Sequence, residues 1–319
     1  MKVLANDGIS QSGEDRLKEY GFEVITNHVP QEELIDYINS HSISALLVRS
    51  ATKVRTDIID NCPSLKFIGR GGVGMDNIDV EYARNKGITV NNTPAASSQS
   101  VAELVMAQMF SISRFTHLAN KEMPESGNEE FKTLKKSYGK GVELSGKTLG
   151  IIGFGRIGRA LSSYALGCGM KVIAHDRNPV PAKMPVHFHN GQSFDVEIES
   201  GSMEDVFVNS DYISIHIPKQ PDGSAVIASA EFAKMKKGVR IVNAARGGVI
   251  DEDALLEAIE ANQIAYCALD VFENEPNPRK DLLTNSRIAT TPHIGAATLE
   301  AQDRIGTEMA DKVKEALLG

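Results

Sequence analysis

The sequence predicts an α/β protein made of two doubly wound parallel-sheet domains, on three observations. The chain has 319 residues, more than one hydrophobic core ordinarily serves, so two domains are expected. Short β-rich runs alternate with helical patterns from Lys2 to Asn91, and the alternation starts afresh at Lys147. A glycine-rich turn, Gly153-Phe154-Gly155-Arg156-Ile157-Gly158, stands directly after the first strand-like run of the second series.

In the first series, 2–5, 23–26, 45–48, 67–70 and 89–91 read as strands, and 14–20, 31–40 and 79–86 as helices. From Ser98 the pattern becomes one long helix, apolar over most of its circumference and continuing toward Asn120. A helix of that kind is buried, between domains or against a second subunit. The stretch 123–141 is polar and contains Gly and Pro, and its Lys132, Lys135, Lys136 and Lys140 read first as solvated surface.

In the second series, 148–152, 171–175, 212–216, 240–243, 265–269 and 287–290 read as six strands with helices among them. The segment 180–202 is an insertion. Alternation in 186–190 and 194–199 around Gly191-Gln192 makes it a hairpin without evident chemistry. His187 and His189 inside it are spaced i and i+2 with no further ligand to complete a set, so no metal is expected.

Composition excludes several classes of function. A hydrophobic fraction of 41% with 24% charged residues is ordinary for a globular protein, and a net charge of −8 offers no basic footprint for nucleic acid or an anionic membrane. No apolar stretch approaches the ~20 residues of a membrane span, and Asn6-Asp7-Gly8 breaks the first apolar run too early for a signal peptide. Cys62, Cys168 and Cys267 are odd in number and far apart, as reduced thiols of a cytoplasmic protein would be.

The glycine-rich turn has the strand before it and helix after it that a Rossmann dinucleotide site requires. Gly153 permits the tight turn, Gly155 lets backbone amides such as those of Arg156 and Ile157 approach a pyrophosphate, and Gly158 lets helix and strand pack closely. The helix amino terminus adds partial positive charge. Asp176, about 20 residues further on, stands where a carboxylate accepts from the adenosine ribose hydroxyls and repels a 2′-phosphate. NAD is therefore the expected cofactor, with Arg177 beside it leaving room for some NADP use.

Arg246, Glu275 and His293 each follow a strand of this second series, on the sheet edge where open α/β folds bind ligands. Singly each has a bland reading: an ion pair, a solvated acid, a core histidine. Together beside a dinucleotide turn they supply a guanidinium to grip a carboxylate and a carboxylate-backed imidazole to move a proton near neutral pH.

These residues and their surroundings resemble the D-2-hydroxyacid dehydrogenase family, most of all its phosphoglycerate-oxidising members. The matching stretches are 48–54, 69–79, Asn92-Thr93-Pro94, Ala102-Glu103-Leu104, 153–158, 243–248, 268–276 and 291–297. The resemblance implies a flavodoxin-like substrate domain, 1–97 completed by 297–319, interrupted by a Rossmann NAD-binding domain at 98–296. It also implies an active site in the cleft between them and a homodimer that the long helix helps to form. By the same resemblance Arg246 binds the substrate carboxylate, His293 exchanges the hydroxyl proton, and Glu275 orients His293 and raises its pKa. His216, Ile217 and Pro218 are expected near the adenosine ribose, Ala244, Asp270, Gly295 and Ala296 near the nicotinamide, and Val73 and Gly74 on the substrate carboxylate.

Arg49, Ser50 and Lys53 match substrate positions, and Lys136 a basic position that reaches into the neighbouring subunit of similar enzymes. Cations there suit a phosphate, each charge-assisted hydrogen bond being worth roughly 1.5–3 kcal/mol. The expected reaction is oxidation of D-3-phosphoglycerate to 3-phosphohydroxypyruvate, the entry to serine synthesis. The alternatives are a glyoxylate or hydroxypyruvate reductase, another D-2-hydroxyacid dehydrogenase, or an NAD-sensing scaffold of the corepressor type. Formate dehydrogenase is disfavoured because it pairs its histidine with glutamine. With no residues left for a serine-binding domain after His293, insensitivity to serine is also expected.

Overall fold

A computed structural model describes all residues, Met1–Gly319. In chain order the first elements are β1 (Lys2–Ala5), α1 (Gln11–Glu19), β2 (Glu23–Ile25), a single 3-10 turn (Gln31–Glu33) running into α2 (Leu34–His41), β3 (Ile43–Val48), α3 (Thr56–Asn61), β4 (Phe67–Arg70), α4 (Val80–Asn85) and β5 (Thr89–Asn92). Next come α5 (Ser98–Arg114), α6 (Thr116–Tyr138), β6 (Thr148–Ile152), α7 (Arg156–Gly167), β7 (Lys171–His175), β8 (Lys183–His187), β9 (Ser193–Glu197) and β10 (Glu199–Ser200). The chain continues through α8 (Met203–Asn209), β11 (Tyr212–Ile215), α9 (Ser229–Lys234), β12 (Val239–Asn243), α10 (Glu252–Glu260), β13 (Ile264–Leu269), α11 (Lys280–Thr284), β14 (Ile288–Thr290) and α12 (Leu299–Leu318).

Two compact units result: Met1–Ser100 with Ala296–Gly319, and Val101–Gly295. The first unit holds a five-stranded parallel sheet of order β2-β1-β3-β4-β5, the flavodoxin-like order. Its strands are apolar runs because both faces are covered: Leu4, Leu46, Val48 and Ile68 pack with Leu34, Ile38 and Ile58, while Val3, Ala45, Leu47 and Phe67 pack with Leu17, Met309, Ala310 and Val313.

The second unit holds a seven-stranded parallel sheet of order β10-β7-β6-β11-β12-β13-β14, the Rossmann order with one strand more. Its two faces carry separate apolar clusters, one with Val206, Phe232, Leu255 and Ile259, the other with Val105, Met109, Leu161 and Ala165. The strand order turns back between β6 and β11, so a crevice opens at their carboxyl ends.

Three expectations need correction. The long helix does not run on to 120: Phe115 takes a left-handed φ of 58°, which ends α5 and starts α6 in a new direction. The polar stretch 123–141 is then helical as far as Tyr138, with Pro124 inside and non-helical backbone at Glu130. Only Gly127 and Leu134 are buried along α6, which explains why no amphipathic stripe announced it. Last, the insertion contains the β8–β9 antiparallel hairpin, but its end rejoins the main sheet as β10, parallel to β7.

Candidate active site

Strands β12, β13 and β14 are neighbours and parallel, so their carboxyl ends share one edge of the sheet. Arg246 follows β12, Glu275 follows β13, and His293 follows β14, which brings three residues distant in sequence to one rim. His293 Nδ1 lies 2.7 Å from Glu275 Oε2. The other carboxylate oxygen, Oε1, accepts from the backbone N–H of Phe272 at 2.9 Å, so Glu275 is fixed at both ends. The peptide bond after Glu275 is cis.

Electrostatics match this geometry. Partial burial alone would raise the Glu275 pKa, but hydrogen bonds from His293 and the Phe272 N–H, with the charges of His293 and Arg246, outweigh it and hold the carboxyl below its ordinary value. The carboxylate therefore stays ionised and presents an acceptor to the imidazole. With Nδ1 held by the carboxylate, Nε2 is left to exchange a proton. His293 itself sits at φ 54°, sparsely populated for a residue with a Cβ, and such strain is characteristic of functional loops.

Asp270, at the end of β13 and 1% exposed, holds the segment that carries His293. Its Oδ1 accepts from Thr291 Oγ1 at 2.6 Å and Ile294 N–H at 2.9 Å, and Oδ2 accepts from Gly295 N–H at 2.9 Å. Gln108 Nε2 donates to the same threonine hydroxyl. Asn243 does similar work after β12: its Nδ2 donates to Arg246 O at 3.0 Å and its Oδ1 accepts from Ala245 N–H at 3.0 Å, with half-buried Ala244 between. The Arg246 guanidinium donates through Nη1 to Ala245 O at 2.6 Å. The parts played by Gln108, Thr291 and the Phe272 N–H were not foreseen, because a buried amide in an apolar helix, a loop hydroxyl and a backbone N–H have no sequence signature.

The crevice between β6 and β11 has a volume of about 390 Å³ and is lined by Gly153, Gly155, Asp176, His216, Ile217 and Pro218 among others. Gly153 has φ 96°, and a Cβ there would stand 2.5 Å from His216 O, so this turn admits glycine alone. A Cβ on Gly155 would meet nothing within 4 Å, the open side from which a ligand can reach the backbone. Arg156 and Ile157 are the first residues of α7, whose N–H groups have no intrahelical acceptor. Asp176 Oδ2 accepts from Phe154 N–H at 2.7 Å, tying the second strand to the turn. His216 Nε2 faces Ser214 Oγ at 2.9 Å while its Nδ1 is buried without a partner, and burial pushes its pKa down to about 4. An open glycine cradle, a carboxylate and an orphaned ring nitrogen fit an adenine dinucleotide.

In the first unit, Arg49, Ser50 and Lys53 follow β3, and Val73 and Gly74 follow β4, its neighbour. Asp7 organises the first loop: Oδ2 accepts from Arg49 N–H at 2.6 Å and Thr52 N–H at 3.1 Å, and Oδ1 from Thr52 Oγ1 at 2.6 Å. Asn77 Nδ2 donates to Arg49 O and Thr52 O. Ala296 belongs to this unit, and its carbonyl accepts from Gln302 Nε2. Lys136 lies exposed near the end of α6.

A dinucleotide crevice at the turning point of a parallel sheet, with an imidazole–carboxylate pair and an arginine on the same carboxyl edge, defines an NAD-dependent oxidoreductase. Residues 106–295 match the model of the D-isomer specific 2-hydroxyacid dehydrogenase NAD-binding domain, and the chain belongs to that family. It is 43% identical over 316 residues to the hydroxypyruvate reductase of Thermotoga maritima, covering 98% of this chain and 97% of that one. It is 40% identical over 319 residues to the D-3-phosphoglycerate dehydrogenase of Methanocaldococcus jannaschii, covering all of this chain and 58% of that one. The chain thus spans little more than half the length of that relative. The structure resembles a glyoxylate reductase from Paecilomyes thermophila with a TM-score of 0.84 at 29% identity, covering 99% and 94% of the two chains.

Proposed function

We propose that the protein catalyses NAD-linked oxidation of D-3-phosphoglycerate to 3-phosphohydroxypyruvate. One observation carries the choice of substrate: the Arg49 guanidinium and the Lys53 ammonium, set on a loop that Asp7 and Asn77 hold from behind, make no hydrogen bond or ion pair within the protein. Unpaired cations on a loop whose backbone is held suit a dianionic group, and a phosphate offers them charge-assisted bonds of roughly 1.5–3 kcal/mol each. Lys136 of a second copy would add to that charge, and a homodimer is part of the proposal.

The chain's own groups divide the work. Arg246 holds the substrate carboxylate by two parallel hydrogen bonds and orients C2, and the backbone N–H groups of the Val73-Gly74 loop are further donors that suit a carboxylate. His293 takes the hydroxyl proton through Nε2 as the C–O bond gains carbonyl character, and returns it in reduction. Glu275 keeps Nδ1 protonated, holds the ring and stabilises the imidazolium. When bound, NAD supplies the hydride acceptor, held by the Gly153–Gly158 turn, Asp176 and the His216–Pro218 segment. Ala244, Asp270, Gly295 and Ala296 would border its nicotinamide end.

A second reading, hydroxypyruvate or glyoxylate reduction, is favoured by the 43% identity to a hydroxypyruvate reductase over nearly the whole of both chains. The two readings differ by a phosphate. Steady-state rates with D-3-phosphoglycerate, D-glycerate and D-lactate in oxidation, and with hydroxypyruvate and glyoxylate in reduction, separate them. A kcat/KM for D-3-phosphoglycerate at least about tenfold above D-glycerate, lost in Arg49→Ala and Lys53→Ala, is expected from one to two lost charge-assisted bonds. A preference for the unphosphorylated acids overturns the phosphate reading. Loss of turnover in His293→Ala excludes a purely non-enzymatic scaffold.

A further inference from the structure

We propose that Glu252 is a positioning residue for the Glu275–His293 pair, an inference that rests on the catalytic reading above. Glu252 is the first residue of α10, directly after the N-cap Asp251, whose carboxylate accepts from Ala254 N–H at 2.8 Å. An acid in a first helical turn ordinarily faces water and interacts with the helix dipole from there. Glu252 is instead 5% exposed. Its Oε1 accepts from Glu273 N–H at 2.8 Å, while Glu273 Oε1 accepts from Glu252 N–H at 3.4 Å, so the two segments clasp each other reciprocally.

The second oxygen of Glu252, Oε2, is buried with no hydrogen-bond partner, and burial raises the pKa of the group. Leaving a buried polar atom unsatisfied costs more than the helix dipole returns to an acid at an exposed position. Helix stability therefore does not account for burying this carboxyl. What it holds does.

Glu273 stands two residues before Glu275, and the Phe272 N–H that grips Glu275 Oε1 belongs to the residue before Glu273. Fixing Glu273 N–H thus fixes the backbone that presents the carboxylate to His293. The far flank is held from the same helical turn: Asp253 pairs with Arg279, which also pairs with Asp281 at 2.7 Å. On its other side α10 follows the Arg246 loop through the buried Val249 and Ile250. Glu252 therefore links the backbone that carries Arg246 to the backbone that carries Glu275.

The test is a double-mutant cycle in the full-length protein, assayed with NAD and the 2-hydroxy acid of highest kcat/KM in the panel above. E252A removes the acceptor, E252Q keeps a carbonyl oxygen on the Glu273 N–H, and E275Q removes the carboxylate that Glu252 is argued to act through. In the parent, E252A should lower kcat roughly 10- to 100-fold with the NADH dissociation constant changed less than about twofold, and E252Q should restore kcat to within about threefold. In the E275Q background, E252A should cost less than about twofold more, and E252A alone should move the pH profile of kcat/KM in the direction that E275Q does. An equal fold-loss in both backgrounds, or a folded E252A with parental kcat, overturns the positioning role alone. Full activity in E275Q overturns the catalytic reading as well, so the two failures are distinguishable.

Discussion

The carbonyl oxygen of Phe272 fills the space that a Cβ on Gly247 would need. Arg246 and Glu275 therefore sit on loops whose backbones are in direct contact, each residue adjacent or close to the point where they touch. An alanine at 247 has to push the two loops apart. Because misplacement of a reacting group by about 1 Å can cost 10²-fold in rate, Gly247→Ala should lower kcat/KM by roughly that factor. Gly167→Ala, with nothing within 4 Å of the added Cβ, should leave it unchanged in the same steady-state assay.

Glu275 makes stability pH-dependent at the acid end. Burial raises its pKa, but His293, the Phe272 N–H and Arg246 together depress it below the ordinary value. A depressed carboxyl pKa means that the unfolded chain takes up its proton first as pH falls. The contribution is fully present above the unfolded pKa and is lost as pH falls through the folded one. Urea unfolding from pH 7 down to 3 should show a smaller acid loss in Glu275→Gln than in the parent, and parallel curves would contradict the assignment.

His216 works over a higher range. Its pKa, pushed down by burial to about 4, lies below the 6.5 of a free imidazole. Between those values the unfolded state binds a proton that the folded state refuses, so stability is full above pH 6.5 and falls toward pH 4. The gap corresponds to a loss of about 3 kcal/mol at its low-pH limit. Denaturation of cofactor-free protein should show this decline, and His216→Gln should flatten it.

Asp176 is expected to govern the choice between NAD and NADP. Asp176→Asn keeps an oxygen for the Phe154 N–H but removes the negative charge that opposes a 2′-phosphate. The ratio of kcat/KM for NADP to that for NAD should rise about tenfold or more, with Arg177 available beside it. An unchanged ratio in parallel assays with the two cofactors would place the discrimination elsewhere.

Much of this was legible in the sequence, for physical reasons that differ from element to element. Strands such as β1, β4, β6 and β7 were found at their true limits because a buried parallel strand is a short apolar run bounded by turn residues. The shared edge of Arg246, Glu275 and His293 followed from order alone: in a parallel sheet, whatever comes after a strand lies at its carboxyl end. Helix α3 was missed because six residues hold too little periodicity, and α6 because polar residues surround it. Glu252 was invisible for another reason. In Asp251-Glu252-Asp253 three neighbouring acids look alike, and only the fold decides that one caps, one is buried and one meets Arg279.

The sheet of the first unit is covered on one side by Leu17 of α1 and by Met309, Ala310 and Val313 of α12, although the last strand of that sheet ends at Asn92. A ribosome therefore releases five strands whose second face has only Leu17 of α1 and Phe22 for cover until the entire Rossmann unit has been made. During that interval Val3, Ala45, Leu47 and Phe67 present a half-covered apolar surface, which invites chaperones and self-association. The first unit is thus most vulnerable before α12 is made, and that helix works as a latch that closes it.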